Sequence, residues 1–569
     1  MLRTFDEHRV RETASLDGLW DFVIASDRHD RWRLPKSYTR TIHVPSAWEM
    51  LPGLENYRGK GWLRNSVESV DGKALRLVFG GVSYMGTVFV DGRKKGFHYD
   101  AFTPWDVVVP GLGDGIHEVV VEVDNSFGRH SALHRQNDYM TYGGITRPVE
   151  VQYVPEIFID KIFATPVKAG GSWSLDVRVR LRNWSRKALK RTVILNIAGT
   201  VNKLGTFTVN GSECRDVRGT IKSLDVKEWS PKIPNLYELE VLLFDKAELV
   251  DDMIDRIGFR EIKVRGKEIL LNGEPVRLRG YNRHEDHGCF GNAIPLEAMA
   301  RDLEIMRDLG SNTVRTSHYP NDMRFLDLCD EMGFMVWEES HARTVQFNSP
   351  YFREQITNTT VEMVEWHFNR PSIVIWGCLN ECDSKTDEGK KEHAYVLSLL
   401  KKLDPSRPTT FASNKRMNDI CLGLVDIVSW NIYTGWYEED AKETGKVLDA
   451  LLKWLHSPKS KGGKGKPVIM SEFGAGAIPG FRDPRRCHWT EEFQCYVLDE
   501  NLKVYLNHPQ VAGSLIWQFC DVRVSEKFSP FARPRNINDK GTVDDYRRPK
   551  LSYDVVKKRM LEAAKNWDN

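Results

Sequence analysis

The sequence predicts a multidomain chain of the all-β plus α/β kind that ends in an eight-stranded parallel barrel, (β/α)8. Three observations predict it. Short β-rich runs fill roughly the first 260 residues. From about residue 263 onward, strand-like and helix-like segments alternate with a repeat of about 30 residues, the spacing of βα units. Two strands of fully buried composition, SIVIWGCLNEC (372–382) and PVIMSEFG (467–474), each break at a glutamate, Glu381 and Glu472. A carboxylate at the C-terminal tip of a parallel strand stands where an α/β barrel keeps its chemistry.

At 569 residues the chain is too long for one core, and about three or four domains are expected. Residues 1–155 read as a jelly-roll or similar sandwich: WDFVIA, LRLVFGGV, GTVFVDG and HEVVVEVDN are separated by Gly, Asp and Pro, and the Asp91-Gly92 pair reads as a hairpin turn. Residues 156–262 continue in strands, with apolar and polar residues alternating in VRVRLR, and fit an immunoglobulin-like sandwich. Residues 263–569 carry the barrel. In this region SNTVRTSH, FMVWEES, SIVIW, VDIVSWNIY, PVIMSEFG and VAGSLIWQFCD read as strands. Leu296–Leu309, DMRFLDLCDEMG, residues 355–368, KVLDALLKWLHS and EEFQCYVLDENLKVYLN read as helices. The basic, Gly-rich stretch 457–467 reads as a solvated connector.

Hydrophobic content of 41% and charge of 28% describe a globular protein. A net charge of +2 offers no footprint for nucleic acid or an acidic membrane, and no run is apolar enough to span a bilayer. The N-terminal segment lacks the apolar core of a secretory signal. With nine cysteines, several in apolar runs, reduced thiols in a cytoplasmic protein are expected.

Side chains at the C-terminal strand tips of a barrel converge on one mouth. The tips here offer Asn282, Arg283, His284 and Glu285, then His318, Glu338, Glu339, Asn380, Glu381, Asn431, Tyr433, Glu472 and Trp517. A mouth so rich in carboxylates, imidazoles, amides and aromatics suits a hydroxylated substrate and an acid–base pair. Two glutamates are what glycoside hydrolysis needs, one to protonate the leaving oxygen and one to attack the anomeric carbon. His284 and His287 are spaced by three rather than four residues, and Cys378 and Cys382 straddle a strand end, so neither pair makes a metal motif. No metal and no cofactor are expected, and no Gly-rich phosphate loop follows any strand.

The motifs LDGLWDF, VPSAWEM, FGGVSYMGTVFVDGRKKGFHYDAFTPW, GYNRHEDHG, NTVRTSHYP, WGCLNE and SEFG together resemble glycoside hydrolase family 2 and, within it, the β-glucuronidases. The resemblance implies a jelly-roll sugar-binding domain, an immunoglobulin-like sandwich and a catalytic TIM barrel. It also implies retaining exo-hydrolysis of β-D-glucuronides, with Glu381 as acid/base and Glu472 as nucleophile, about 5–5.5 Å apart and with Glu381 raised in pKa. Tyr433 matches the tyrosine that holds the nucleophile. Asn380, Asp138 and His284 match groups that contact sugar hydroxyls, Trp517 an aromatic platform, and Tyr437 a further pocket residue. Asn538 and Lys540, in Asn538-Asp539-Lys540-Gly541, resemble the Asn-x-Lys pair that grips the C6 carboxylate, and Arg533 or Arg535 could add a guanidinium. The chain departs from the family at Trp517-Gln518-Phe519-Cys520-Asp521-Val522-Arg523. The changed amide and extra arginine there leave a β-galacturonidase open, and a neutral-sugar β-galactosidase is the other alternative. The short segment after Glu339 predicts an open mouth. The expected partner is a small-molecule or oligosaccharide β-hexuronide, and the resemblance implies a homo-oligomer.

Overall fold

A computed structural model describes residues 1–27, 33–525 and 533–567. The first unit packs two antiparallel sheets face to face. One is six-stranded and runs Arg40–Val44, Gly18–Ile24, Lys60–Ser69, Gly115–Asp124, Met85–Val90, Arg93–Tyr99. The other is four-stranded and runs Thr13–Ser15, Val149–Val154, Ala74–Phe79, Trp105–Val109. Asp91-Gly92 forms a two-residue turn, with Val90 opposite Arg93. Alternate residues of Met85–Val90 are buried, as a strand with one face on a core requires, and Trp20, Phe22, Leu77 and Val121 meet between the sheets. The second unit repeats the plan with a three-stranded and a four-stranded sheet between Ile157 and Ile257. Its strand Ser172–Asn183 shows the alternation read from VRVRLR.

The N-terminal arm staples the units together. Arg11 donates to both carboxylate oxygens of Asp251 at 2.9 and 2.8 Å, to Gln152 at 2.9 Å and to the Ile159 carbonyl at 2.6 Å. Arg3 binds Asp327 of a barrel helix.

The barrel strands are, in order, Leu278–Arg283, Thr313–Thr316, Met335–Glu339, Ile373–Gly377, a fifth split into Thr409–Thr410 and Ala412–Ser413, Val428–Asn431, Val468–Phe473 and Val511–Ile516. Neighbours pair in parallel, and both ends of the hydrogen-bonded series fall on the two halves of the fifth strand, so the sheet closes into a ring of eight. Six of these strands and five of the helices are the ones read from the sequence. The fifth strand escapes because its two-residue pieces, TT and AS, leave no apolar run to detect. The helices Asp387–Leu403 and Ser552–Trp567 also went unread. The first has a legible signature: Thr386 caps it by accepting from the Gly389 amide at 3.2 Å, and Lys401 and Lys402 close its last turn.

The stretch 457–467 is tied down rather than freely solvated. Lys466 Nζ donates to the carbonyls of Leu422, Gly423 and Val425 at 2.8, 3.0 and 2.6 Å, and Ser460 is buried. All nine cysteines are unpaired. Among the described residues no helix is long and apolar enough to cross a membrane.

Helix Met323–Met332 shows how local signals set an element. Asp322 caps its N-terminus by accepting from the Arg324 amide at 2.9 Å. Gly333 ends it at φ 71°, letting the Phe334 amide reach back to the Cys329 carbonyl at 3.0 Å. A Cβ at Gly333 would also stand 2.4 Å from the Pro231 carbonyl oxygen. Gly333→Ala is therefore expected to destabilise the barrel by about 1–3 kcal/mol, read as a fall in Tm by calorimetry. An unchanged Tm would refute this account of the helix end.

Candidate active site

The strand-tip residues divide by the alternation of a strand, in which neighbours face opposite ways. Asn282 turns inward, while Arg283 turns outward to Asp302 at 2.9 Å and Asn321 at 3.0 Å. Glu339 turns inward, while Glu338 meets His367 at 2.9 Å. Glu285 bonds Arg147 of the first sandwich at 2.7 Å. Arg283, Glu285 and Glu338 thus hold the scaffold and do not join the mouth expected of them.

The inward set gathers on Arg315, whose side chain is fully buried within the barrel. Its Nε and Nη2 donate to the two oxygens of Glu339, both at 2.9 Å. Nη1 donates to Asn282 at 2.8 Å and Glu472 at 2.9 Å, and Nη2 also donates to Asn380 at 2.8 Å. All five guanidinium hydrogens are thereby engaged. Arg315 was missed in the sequence; the signal was an arginine in the middle of a buried strand, TVRT.

Above this hub opens a cavity of about 360 Å³ lined by Asp138, Arg343, Glu381, Asn431, Tyr433, Tyr437, Glu472, Trp517, Arg533 and Lys540, among others. Glu472 accepts from Tyr433 Oη at 2.8 Å in addition to Arg315. Glu381 Oε1 accepts from Asn431 Nδ2 at 3.1 Å, and its Oε2 lies 3.6 Å from Arg343 Nη2. Burial pushes the Glu472 carboxyl up to about 7, helped by the Glu381 charge and opposed by Arg315 and Tyr433. Two carboxyls sharing one buried cavity resist double ionisation, so the pair keeps one proton near neutrality.

Trp517 stacks on His318 at 5.0 Å and 13° and presents a face to the cavity. His284 lies behind it, edge-on at 5.3 Å, with Nδ1 against Tyr319 Oη at 3.1 Å. Burial lowers both imidazoles well below their ordinary value, so both are neutral. Asn380 is held through Oδ1 by Arg315 and Asn431, which leaves Nδ2 without a protein partner.

Asp138 reaches the cavity from the first sandwich, where its carboxylate accepts three hydrogen bonds. Arg533 donates to both oxygens, at 2.7 and 2.5 Å, and Asn538 Nδ2 donates to Oδ2 at 3.0 Å. Asn538 stands behind the lining of the cavity, with one hydrogen of its Nδ2 on Asp138. Of the two candidate arginines, Arg533 lines the cavity, whereas Arg535 is exposed and bonds Asp539 at 2.7 Å. Lys540 is 1% exposed, with Nζ 5.0 Å from the Trp436 ring, 5.3 Å from Tyr437 and 6.0 Å from Tyr433. Among the described residues it pairs with no carboxylate, and burial holds its pKa below the ordinary value.

The sequence departures lie off the cavity wall. Arg523 donates to the Glu55 carbonyl at 2.6 Å and to Asn56 at 3.0 Å, and Gln518 donates to the Asn538 carbonyl at 3.1 Å. Arg343, from the short segment after Glu339, also lines the cavity. This segment tucks against the first sandwich, where Arg343 binds Asn137 and His341 meets Tyr139 Oη at 3.1 Å. His284 and His287 do not converge, because His287 Nδ1 accepts from the Cys289 amide at 3.0 Å. Cys378 and Cys382 are buried thiols, the latter pushed up to about 12 by burial. Asp100, His134 and His341 approach one another under that segment. There the Ala101 amide donates to His134 Nε2 at 3.2 Å, and Thr359 donates to Asp100 at 2.5 Å.

An acidic pair at the C-terminal mouth of a closed (β/α)8 barrel, set among aromatic faces, defines a glycoside hydrolase, an enzyme that acts on O-glycosyl bonds of sugars. The profile described as glycosyl hydrolases family 2, TIM barrel domain, matches residues 262–564, and a second profile of that family matches 157–260. The chain belongs to glycosyl hydrolases family 2. It is similar to a β-galacturonidase from Eisenbergiella tayi, solved with galacturonate bound, at 41% identity over 99% of both chains and a TM-score of 0.93. It is 27% identical to a β-glucuronidase of Streptococcus agalactiae over 97% of each chain. It is 26% identical to a Bacteroides uniformis β-glucuronidase solved in covalent complex with cyclophellitol-6-carboxylate aziridine, covering 98% of this chain and 71% of that one at a TM-score of 0.85.

Replacing Tyr433 by Phe removes a donor that favours ionised Glu472. The proton of the pair is then held more tightly, and more often on Glu472. The expected outcome is a fall in kcat of about 10–100-fold, with the alkaline limb of the kcat/KM profile moved to higher pH. A limb that stays in place would show that Tyr433 does not tune the pair.

Proposed function

We propose that this chain is a retaining exo-β-hexuronidase that releases glucuronic acid from β-D-glucuronides. The observation that carries the reading is Lys540, a buried ammonium that meets no carboxylate among the described residues, on the wall of the same cavity as Glu381 and Glu472. A desolvated cation costs free energy unless a ligand anion meets it, and the C6 carboxylate of a uronide is such an anion. Neutral hexosides leave it unmatched, which disfavours the β-galactosidase alternative.

In this reading a Glu472 oxygen attacks C1 as the C1–O bond to the aglycone breaks. The bonding pair leaves on the aglycone oxygen, which takes the proton from Glu381. Water then adds to C1 and gives a proton back to Glu381, the ester bond to Glu472 breaks, and the uronic acid departs. Arg315 and Tyr433 aim Glu472 and favour its anionic form against the burial that raises it. Each catalytic cycle needs one proton on the pair, so kcat/KM should fall as pH rises through about 7, where that proton is lost.

One observation favours a second reading, a β-galacturonide substrate: the 41% identical relative is a β-galacturonidase, whereas the β-glucuronidases compared lie at 26–27%. Both sugars carry the carboxylate that Lys540 would meet. A reducing compartment such as the cytosol suits the nine unpaired cysteines.

Kinetics on glucuronide, galacturonide and galactoside with one common leaving group test the reading. Turnover of a uronide at least about 100-fold above the galactoside is expected. Lys540→Ala should cost uronides about 2–5 kcal/mol in kcat/KM, roughly 30- to 5,000-fold, and the galactoside less than about tenfold. Equal loss on both would end the carboxylate assignment. Glu472→Ala should abolish turnover of all three.

A further inference from the structure

Lys540 is useful only if its ammonium is held where a ligand's carboxylate arrives. A lysine carries about four rotatable bonds and correspondingly large rotamer freedom, so the loop that bears it must itself be fixed. That loop is not part of a regular element beyond the short strand Ile537–Asn538. What holds it is a second, deeper lysine. Lys550 is buried, and its Nζ donates to the Asp539 carbonyl at 3.0 Å, the Ala477 carbonyl at 2.8 Å and Asp521 Oδ1 at 2.7 Å. These three bonds use every hydrogen of the ammonium. Asp521 in turn accepts from the Gly541 amide at 2.8 Å. The residues on both sides of Lys540 are therefore bound to one ion pair, Asp539 through its carbonyl and Gly541 through its amide.

The surrounding contacts leave no slack. The Ala477 amide donates to the Asp539 carbonyl at 2.8 Å, and the Gln518 amide to the Lys540 carbonyl at 3.1 Å. Gln494 Nε2 donates to the Gly541 carbonyl at 3.0 Å. A Cβ at Gly541 would lie 2.3 Å from the Asp521 amide nitrogen and from the Val543 carbonyl oxygen, so only glycine permits the approach.

We infer that Lys550 and Asp521 are positioning residues for substrate recognition, which set Lys540 at the carboxylate-binding wall without touching the sugar. The inference rests on the uronide reading above. It assigns a role to Asp521, which lies within the segment 517–523 after the last barrel strand, and to Lys550, which lies outside every motif singled out in the sequence.

A purely architectural pair would lower the amount of folded enzyme and reduce all activities alike. A positioning pair would change the ratio of kcat/KM for a uronide to that for the matching galactoside, and this ratio is independent of how much protein is folded. Lys550→Met removes the anchor. Burial raises the Asp521 carboxyl and Lys550 opposes that rise, so in this variant Asp521 is expected to take a proton and leave no unpaired charge behind. Asp521→Asn is the second variant, keeping shape while removing the charge. Both should lower the uronide-to-galactoside ratio by about 10-fold or more, chiefly through KM for the uronide. A ratio within about twofold of wild type in both variants, while Lys540→Ala lowers it strongly, would overturn the positioning role. If Lys540→Ala itself leaves the ratio unchanged, the uronide reading fails and the positioning role falls with it, a result distinguishable from the first by that control.

Discussion

The arrangement depends on one buried guanidinium. Arg315 ties Asn282, Glu339, Asn380 and Glu472, from four of the eight barrel strands, into one network inside the ring. A buried arginine is tolerable only when its charge is matched and its donors are satisfied. Glu339 supplies the paired anion through a fork-to-fork contact, and the remaining donors are free to aim Asn380 and Glu472. Glu339 and Glu472 are thus unequal carboxylates: one is spent neutralising Arg315, and the other shares it with Tyr433 and keeps an oxygen toward the cavity. The network contributes orientation more than stability, since a buried ion pair seldom exceeds the packing of apolar residues of the same volume.

The cationic wall is assembled from farther away. Asp138 comes from the first sandwich and clamps Arg533, which lies almost 400 positions along the chain. This neutralises one of the cations lining the pocket, while Lys540 meets no carboxylate among the described residues. The sandwich thus reaches the site through Asp138, which lines the cavity and pairs with Arg533. Arg147 performs a similar service at the rim, where it joins Glu285, the Phe102 carbonyl and the Pro320 carbonyl.

Burial and periodicity explain which parts were legible before the coordinates. Long apolar runs such as SIVIW and VIM can be placed only in a core, so six barrel strands, the sandwich strands and the two glutamates at their tips stood out. The fifth strand, TTFAS, is too short and polar to announce itself, and its membership follows from pairing with neighbours on both sides. Arg315, Arg343 and Lys550 were passed over for a related reason. An isolated cation in a sequence reads as surface, and only its partners, tens to hundreds of residues away, reveal that it is buried.

The sequence by itself determined the layered architecture, the family and the acidic pair, because these rest on local composition and on motifs that survive as text. The tertiary structure alone decided which of the adjacent polar residues at each tip face inward, that Asn538 and His284 stand behind the wall, that Arg533 rather than Arg535 reaches the cavity, and that Lys540 is locked from beneath. The physical reason is that direction and pairing of charge are set by contacts between distant segments. A one-residue change of facing turns a site residue into a scaffold residue without altering a letter of the motif.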